Sequence, residues 1–201
     1  KGYPFFWLKK AFVSSTGNSN SYSGQISGTL SDLSTSPSII NKPFRLALSG
    51  DFPKEEISGL ELKVSSDYTK KKSQHHVLLE VASFPTSKKV IAHSSDLDFS
   101  LDKAFASTQI KGFFQEQNMD FSWSSILNQP QFTISSPSQE LKSLLTEVTK
   151  TITQISIQGR ARGTLSNFKM NLSSNLADDL KDGIEMMVQK KINETNKEIK
   201  R

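Results

Sequence analysis

With 201 residues the chain can form one domain with its own core or two small lobes. Apolar residues make up 35% and the mean hydropathy is −0.43, a soluble composition in which serine replaces apolar residues. The absence of cysteine excludes a disulfide framework, a thiolate metal site and a cysteine nucleophile, and it suits the periplasm. The net charge of +5 is scattered in short clusters at Lys70-Lys71-Lys72, Lys88-Lys89 and Lys190-Lys191. Scattered charge reads as solvated turn tips, or as a loose affinity for anionic membrane surfaces, and not as a nucleic-acid footprint.

The first apolar run, Phe5-Phe6-Trp7-Leu8, is too short for a membrane span or a signal h-region. The chain starts at Lys1, so it reads as a segment of a longer protein. Gly24 to Leu33 reads as a strand running into a turn, and its Gly-x-x-x-Gly-Thr-Leu-Ser pattern returns at Gly159 to Ser166. Glycines inside strands point to bends or to a closely approaching backbone. Apolar residues then alternate with small or charged ones in four runs: Phe44 to Ser49, Leu60 to Ser65, Val77 to Ala82 and Leu97 to Leu101. Period two places the apolar set on one strand face. Turn residues at Ser49 to Asp51, Pro53-Lys54, Asp67 to Ser73 and Pro85 to Ser87 separate the runs, which calls for antiparallel pairing. A further pair is expected at Thr108 to Phe114 and Asn118 to Ser124.

Two segments change the period. Ser138 is a natural N-cap for a helix whose stripe is Leu141, Leu144, Leu145, Val148 and Ile152. After it, Ile155 to Leu165 and Phe168 to Leu172 form a hairpin around Ser166-Asn167. Asn175 is a natural N-cap for a second amphipathic helix, which carries Leu176, Leu180, Ile184, Met187, Val188 and Ile192. Its early Asp178, Asp179 and Asp182 and late Lys190, Lys191, Lys197 and Lys200 complement the helix dipole, while Gly183 weakens its middle. The expected fold is mainly β with α: a curved antiparallel meander with one central helix and one C-terminal amphipathic helix packed on it. It forms one domain over 1–201, with strands over 1–135, a helix over 136–153, a hairpin over 154–174 and the C-terminal helix over 175–201.

No catalytic constellation emerges, so the chain is expected to be non-enzymatic, without metal or cofactor. His75 and His76 point to opposite faces of one strand and cannot chelate together, and His93 stands apart from both. Asp96 and Asp98 share a strand face, and Asp178, Asp179 and Asp182 are explained by the start of a helix. The serines lie outside any Gly-x-Ser-x-Gly elbow, and the glycines lack a phosphate loop. The one ligand hint is that Phe5 to Leu8 and Phe113-Phe114 put apolar groups on both faces of a strand. An apolar-ligand or helix-docking face is therefore expected at Phe113, Phe114, Ile155, Ile157, Phe168 and Met170, with the helix residues Leu176, Leu180 and Ile184 lying over it as a lid.

The run from Ile157 to Leu180, a glycine-turned hairpin passing through Ser174-Asn175-Leu176 into an amphipathic helix, resembles the closing signature of AsmA-like bacterial envelope proteins. Phe6-Trp7-Leu8-Lys9-Lys10-Ala11, Gly24 to Leu33 and Lys42-Pro43-Phe44 look like the opening of one uncharacterised AsmA-related family. The resemblance implies an inner-membrane anchor outside this chain, a periplasmic body and a long curved sheet whose apolar face carries lipid. Lipid or another envelope protein is the implied partner. Envelope maintenance or lipid handling is the implied role, with a scaffold that docks through a sheet edge or the C-terminal helix as the alternative.

Overall fold

The structure, a computed structural model, describes residues 2–17 and 23–199. It is an open, mostly antiparallel sheet with few helices. In chain order the strands are β1 (Trp7–Thr16), β2 (Gln25–Ser34), β3 (Phe44–Phe52), β4 (Ile57–Asp67) and β5 (Gln74–Pro85). They continue as β6 (Lys89–His93), β7 (Asp98–Gln115), β8 (Asn118–Ser135), β9 (Gln154–Thr164) and β10 (Asn167–Ser174). Neighbours pair in the order β1-β2-β3-β4-β5-β7-β8-β9-β10, and β6 joins β7 beside this path. Apart from the connection through α2 between β8 and β9, the links are too short to cross over, which gives a meander.

Helices α2 (Gln139–Thr151) and α3 (Leu176–Ile199) lie where the apolar spacing changes from two to three and four. Two one-turn helices break the expectation of an unbroken strand region: α1 (Pro37–Ile40) and a 3-10 turn at Pro53–Glu55. Each opens on a proline and closes on a left-handed residue, Asn41 at φ 51° and Glu56 at φ 53°. Proline fits a first helical position, where its missing N–H costs nothing.

β7 and β8 are 18 residues each, longer than the alternation suggests. Leu127 and Ile134 are both buried although seven positions separate them, and Gln129, at φ 51°, is the irregularity that shifts the parity. On β7 burial moves likewise from Phe99 and Leu101 to Ala104. Segments 97–101 and 108–114, expected as separate strands, are therefore parts of one.

The chain divides into two units, and β7 and β8 contribute to both. The unit made of Thr86–Phe105, Ile126–Ile157 and the chain from Ser174 onward holds α2, α3 and most of the buried apolar residues. Phe99, Ile134 and Leu145 form its centre, with Phe132, Leu141, Leu180 and Ile184 packed around them. Ser138 caps α2 by accepting from the Leu141 amide at 3.2 Å. Asn175 precedes α3, and its side chain ties β9 to the helix: Oδ1 accepts from the Ser156 amide at 2.7 Å, and Nδ2 donates to the Gln154 carbonyl and to Asp179 Oδ2 at 2.7 Å. Gly183 has a packing reason. A Cβ built there would lie 2.5 Å from Cγ1 of Val148, which is fully buried, so glycine lets α3 approach α2. The side chains of Lys190, Lys191, Lys197 and Lys200, read from sequence as the basic end of α3, lie outside the described residues.

Candidate functional site

The other unit comprises the chain up to Pro85, Ala106–Ser125 and Gln158–Ser173. Among its described residues the only helical segments are α1 and the 3-10 turn, so its sheet is the place to look for a site. Registers of β2 to β5 align the alternating residues into rows. Leu30, Leu46, Val64 and Val77 form one row, and Gly28, Leu48, Leu62 and Leu79 the next. Ile26, Gly50, Leu60 and Val81 form the third. Gly28 is required here, because a Cβ would collide with the Ala47 carbonyl of β3. These twelve positions carry no charge, and not one is buried. Further along the unit, Trp123 packs against Gly159, with its indole nitrogen donating to Ser125 Oγ at 2.6 Å and to Thr108 Oγ1 at 3.1 Å. Gly112 lies against the rings of Phe114 and Phe121. All twelve are half-buried, and an apolar face of this extent that no element fully covers marks an interaction site.

The residues between these positions form the opposite face, which is polar. Arg45, Ser65 and His76 make one row, and Ala47, Lys63 and Leu78 the next. Lys63 donates to Glu61 at 2.7 Å, and this hydrogen bond raises the lysine pKa, so the ammonium stays charged. His76 contacts Phe113 at 4.9 Å between ring centroids, which places Phe113 on this face and Phe114 on the apolar one. His75 instead meets Tyr68 at 5.1 Å. A concavity of about 700 Å³ opens on the polar face, from Arg45 across to Arg160, and Leu46, Val64 and Val77 of the first row border it where they run between Arg45 and Ala47, Lys63 and Ser65, and His76 and Leu78.

The nine residues expected as one ligand or docking face are distributed differently. Phe113 and Phe114 occupy opposite faces, and Ile155 is buried in the helix-bearing unit, where Ile157 is half-buried. Leu180 and Ile184 pack around the Phe99–Leu145 cluster, and Leu176 opens α3 half-buried. Phe168 and Met170 lie on β10 and remain 50% and 66% exposed, so no helix covers them. The lid expected over Phe168 and Met170 is corrected on that ground: Leu180 and Ile184 of the α3 stripe pack on the cluster of their own unit, while Val188 and Ile192 stay 44% and 47% exposed.

Sequence reasoning missed the three apolar rows as a surface, because alternation shows which residues share a strand face but not whether anything covers it. It also missed the basic residues of the polar face, which come from distant strands. Among the described residues no helix is long and apolar enough to cross a membrane, and no group of three His, Asp or Glu side chains could hold a metal ion. No family model, curated protein or solved structure matches the chain.

Proposed function

We propose that this chain is a non-enzymatic lipid-contacting domain of an AsmA-like bacterial envelope protein. In this reading it sits in the periplasm, tethered to the inner membrane by a segment outside the chain. One observation carries the reading: three rows of aliphatic residues and two glycines across β2 to β5 stand together, uncharged and only half-buried. An acyl chain needs only apolar contact and brings no polar groups to satisfy, so it suits a face without hydrogen-bonding side chains. At about 25 cal/mol per Å² of apolar surface removed from water, covering a few hundred Å² supplies several kcal/mol.

The test is mass spectrometry of lipids extracted from natively purified full-length protein. Phospholipid or another acyl lipid in stoichiometric amount is expected, together with its loss on Leu62→Glu. Glutamate at the centre of the middle row would require a charge to be desolvated under the chain. Lipid-free protein, or retention unaffected by Leu62→Glu, overturns the reading.

The scaffold alternative is favoured by one feature. β10 ends the strand order and all eight of its residues are exposed, with Leu172 at 62% beside Phe168 and Met170. A strand edge of this kind can pair with a strand of another protein. Lipid-free protein whose association with an envelope partner is abolished by Met170→Pro supports that alternative.

A further inference from the structure

The concavity on the polar face has a floor and a rim of different chemistry. Ala47, Leu78 and Phe113 supply apolar surface, and Lys111, Ser122 and Arg160 stand at one end. The two-residue turn at Glu116–Gln117 sets Lys111 opposite Ser122 and Phe113 opposite Asp120. Asp120 in turn binds Arg160 through two bonds, Nε to Oδ1 at 3.0 Å and Nη2 to Oδ2 at 2.8 Å. Arg162 adds a third at 3.0 Å. Two guanidinium groups on one carboxylate leave a surplus positive charge. Lys111 adds another, having no carboxylate partner among the described residues. Arginine so held by a carboxylate is oriented in advance, and its remaining N–H donors are free for a second anion. The Ser122 hydroxyl adds a neutral donor at the same end.

The dimensions fit an extended chain. From β3 to β9 the path crosses β4, β5, β7 and β8. That is five strand spacings, or roughly 24 Å at ~4.8 Å each. The volume of about 700 Å³ falls in the range of small-molecule sites.

We propose that this concavity is a second, separate site, which takes a single-chain anionic amphiphile. Its carboxylate or phosphate head is held by Lys111, Ser122 and Arg160, and its chain lies over Phe113, Leu78 and Ala47. The site lies on the face opposite the three apolar rows and stands independently of the lipid reading given for them.

Calorimetric binding of laurate, dodecyl phosphate and uncharged dodecanol, each below its aggregation limit, tests it. At least one of the anions is expected to bind, and which of them binds identifies the headgroup. Dodecanol should bind roughly tenfold more weakly, the worth of two exposed charge contacts together. Lys111→Gln combined with Arg160→Gln should cost the same factor, with both positions exposed and therefore tolerant of change. All three titrations are made in the Leu62→Glu background, where the lipid reading expects no acyl chain on the other face, so that they report this concavity alone. The proposal is overturned if, in that background, neither anion binds, dodecanol binds as tightly, or Lys111→Gln with Arg160→Gln leaves binding unchanged.

Discussion

Truncating Leu145 to alanine is expected to lower the stability of the helix-bearing unit by about 2–5 kcal/mol, the usual loss when a packed leucine is removed from a core. Leu145 is 6% exposed and sits with Phe99 and Ile134 at the centre of the cluster, while Leu141, Leu180 and Ile184 close around it. The cluster draws on two helices and on the strands β6, β7 and β8, so the site has little freedom to collapse around the missing atoms. Urea unfolding followed at 222 nm reads this unit selectively, because α2 and α3 both belong to it. Leu180→Ala, the substitution that the amphipathic stripe alone singles out, should cost less, since Leu180 is only half-buried. A loss at Leu145 below about 1 kcal/mol, typical of a surface site, would show that the cluster is not packed.

Gly183→Ala gives a prediction whose sign separates two physical effects. In an exposed helix interior the change stabilises by about 1 kcal/mol, because alanine is the best helix former and glycine among the worst. Here the added methyl would lie 2.5 Å from Val148 Cγ1, and Val148 is fully buried and cannot step aside. Overpacking of that kind costs about 1–3 kcal/mol, so the net effect should be destabilising. Combining Gly183→Ala with Val148→Ala should recover part of the loss, because the two residues touch and their effects couple. A higher unfolding midpoint for the single variant refutes the docking of α3 on α2 at this point.

These two helices were the most legible part of the fold. The cap at Ser138 and the stripe starting at Leu176 both state their role locally, within one or two turns. Long strands were harder. β7 carries buried residues at Phe99, Ser100 and Leu101 and again at Ala104 and Ala106, so counting alternate positions loses the strand where its parity changes. Pro130 and the left-handed Gln129 hid the second half of β8 in the same way. Of the candidate sites, Phe113 was legible as an apolar residue on the less expected face. The surplus charge around it was not, because Lys111 and Arg160 lie 49 positions apart in sequence and meet only through the register of β7, β8 and β9. The apolar rows were legible residue by residue, and their openness depends on what the rest of the chain leaves uncovered.

Trp123 gives the most direct measurement of whether the apolar face of this sheet receives acyl chains. The protein has two tryptophans, so Trp7→Phe leaves Trp123 as the sole emitter, packed beside Gly159 on the face of Phe114 and Phe121. Vesicles of phospholipid brominated along the acyl chain quench tryptophan only on close approach, and an indole moved out of water emits at shorter wavelength. The account predicts quenching with a blue shift, both reversed by Leu62→Glu. Unchanged Trp123 emission while the protein sediments with the vesicles, or no sedimentation with them at all, contradicts it.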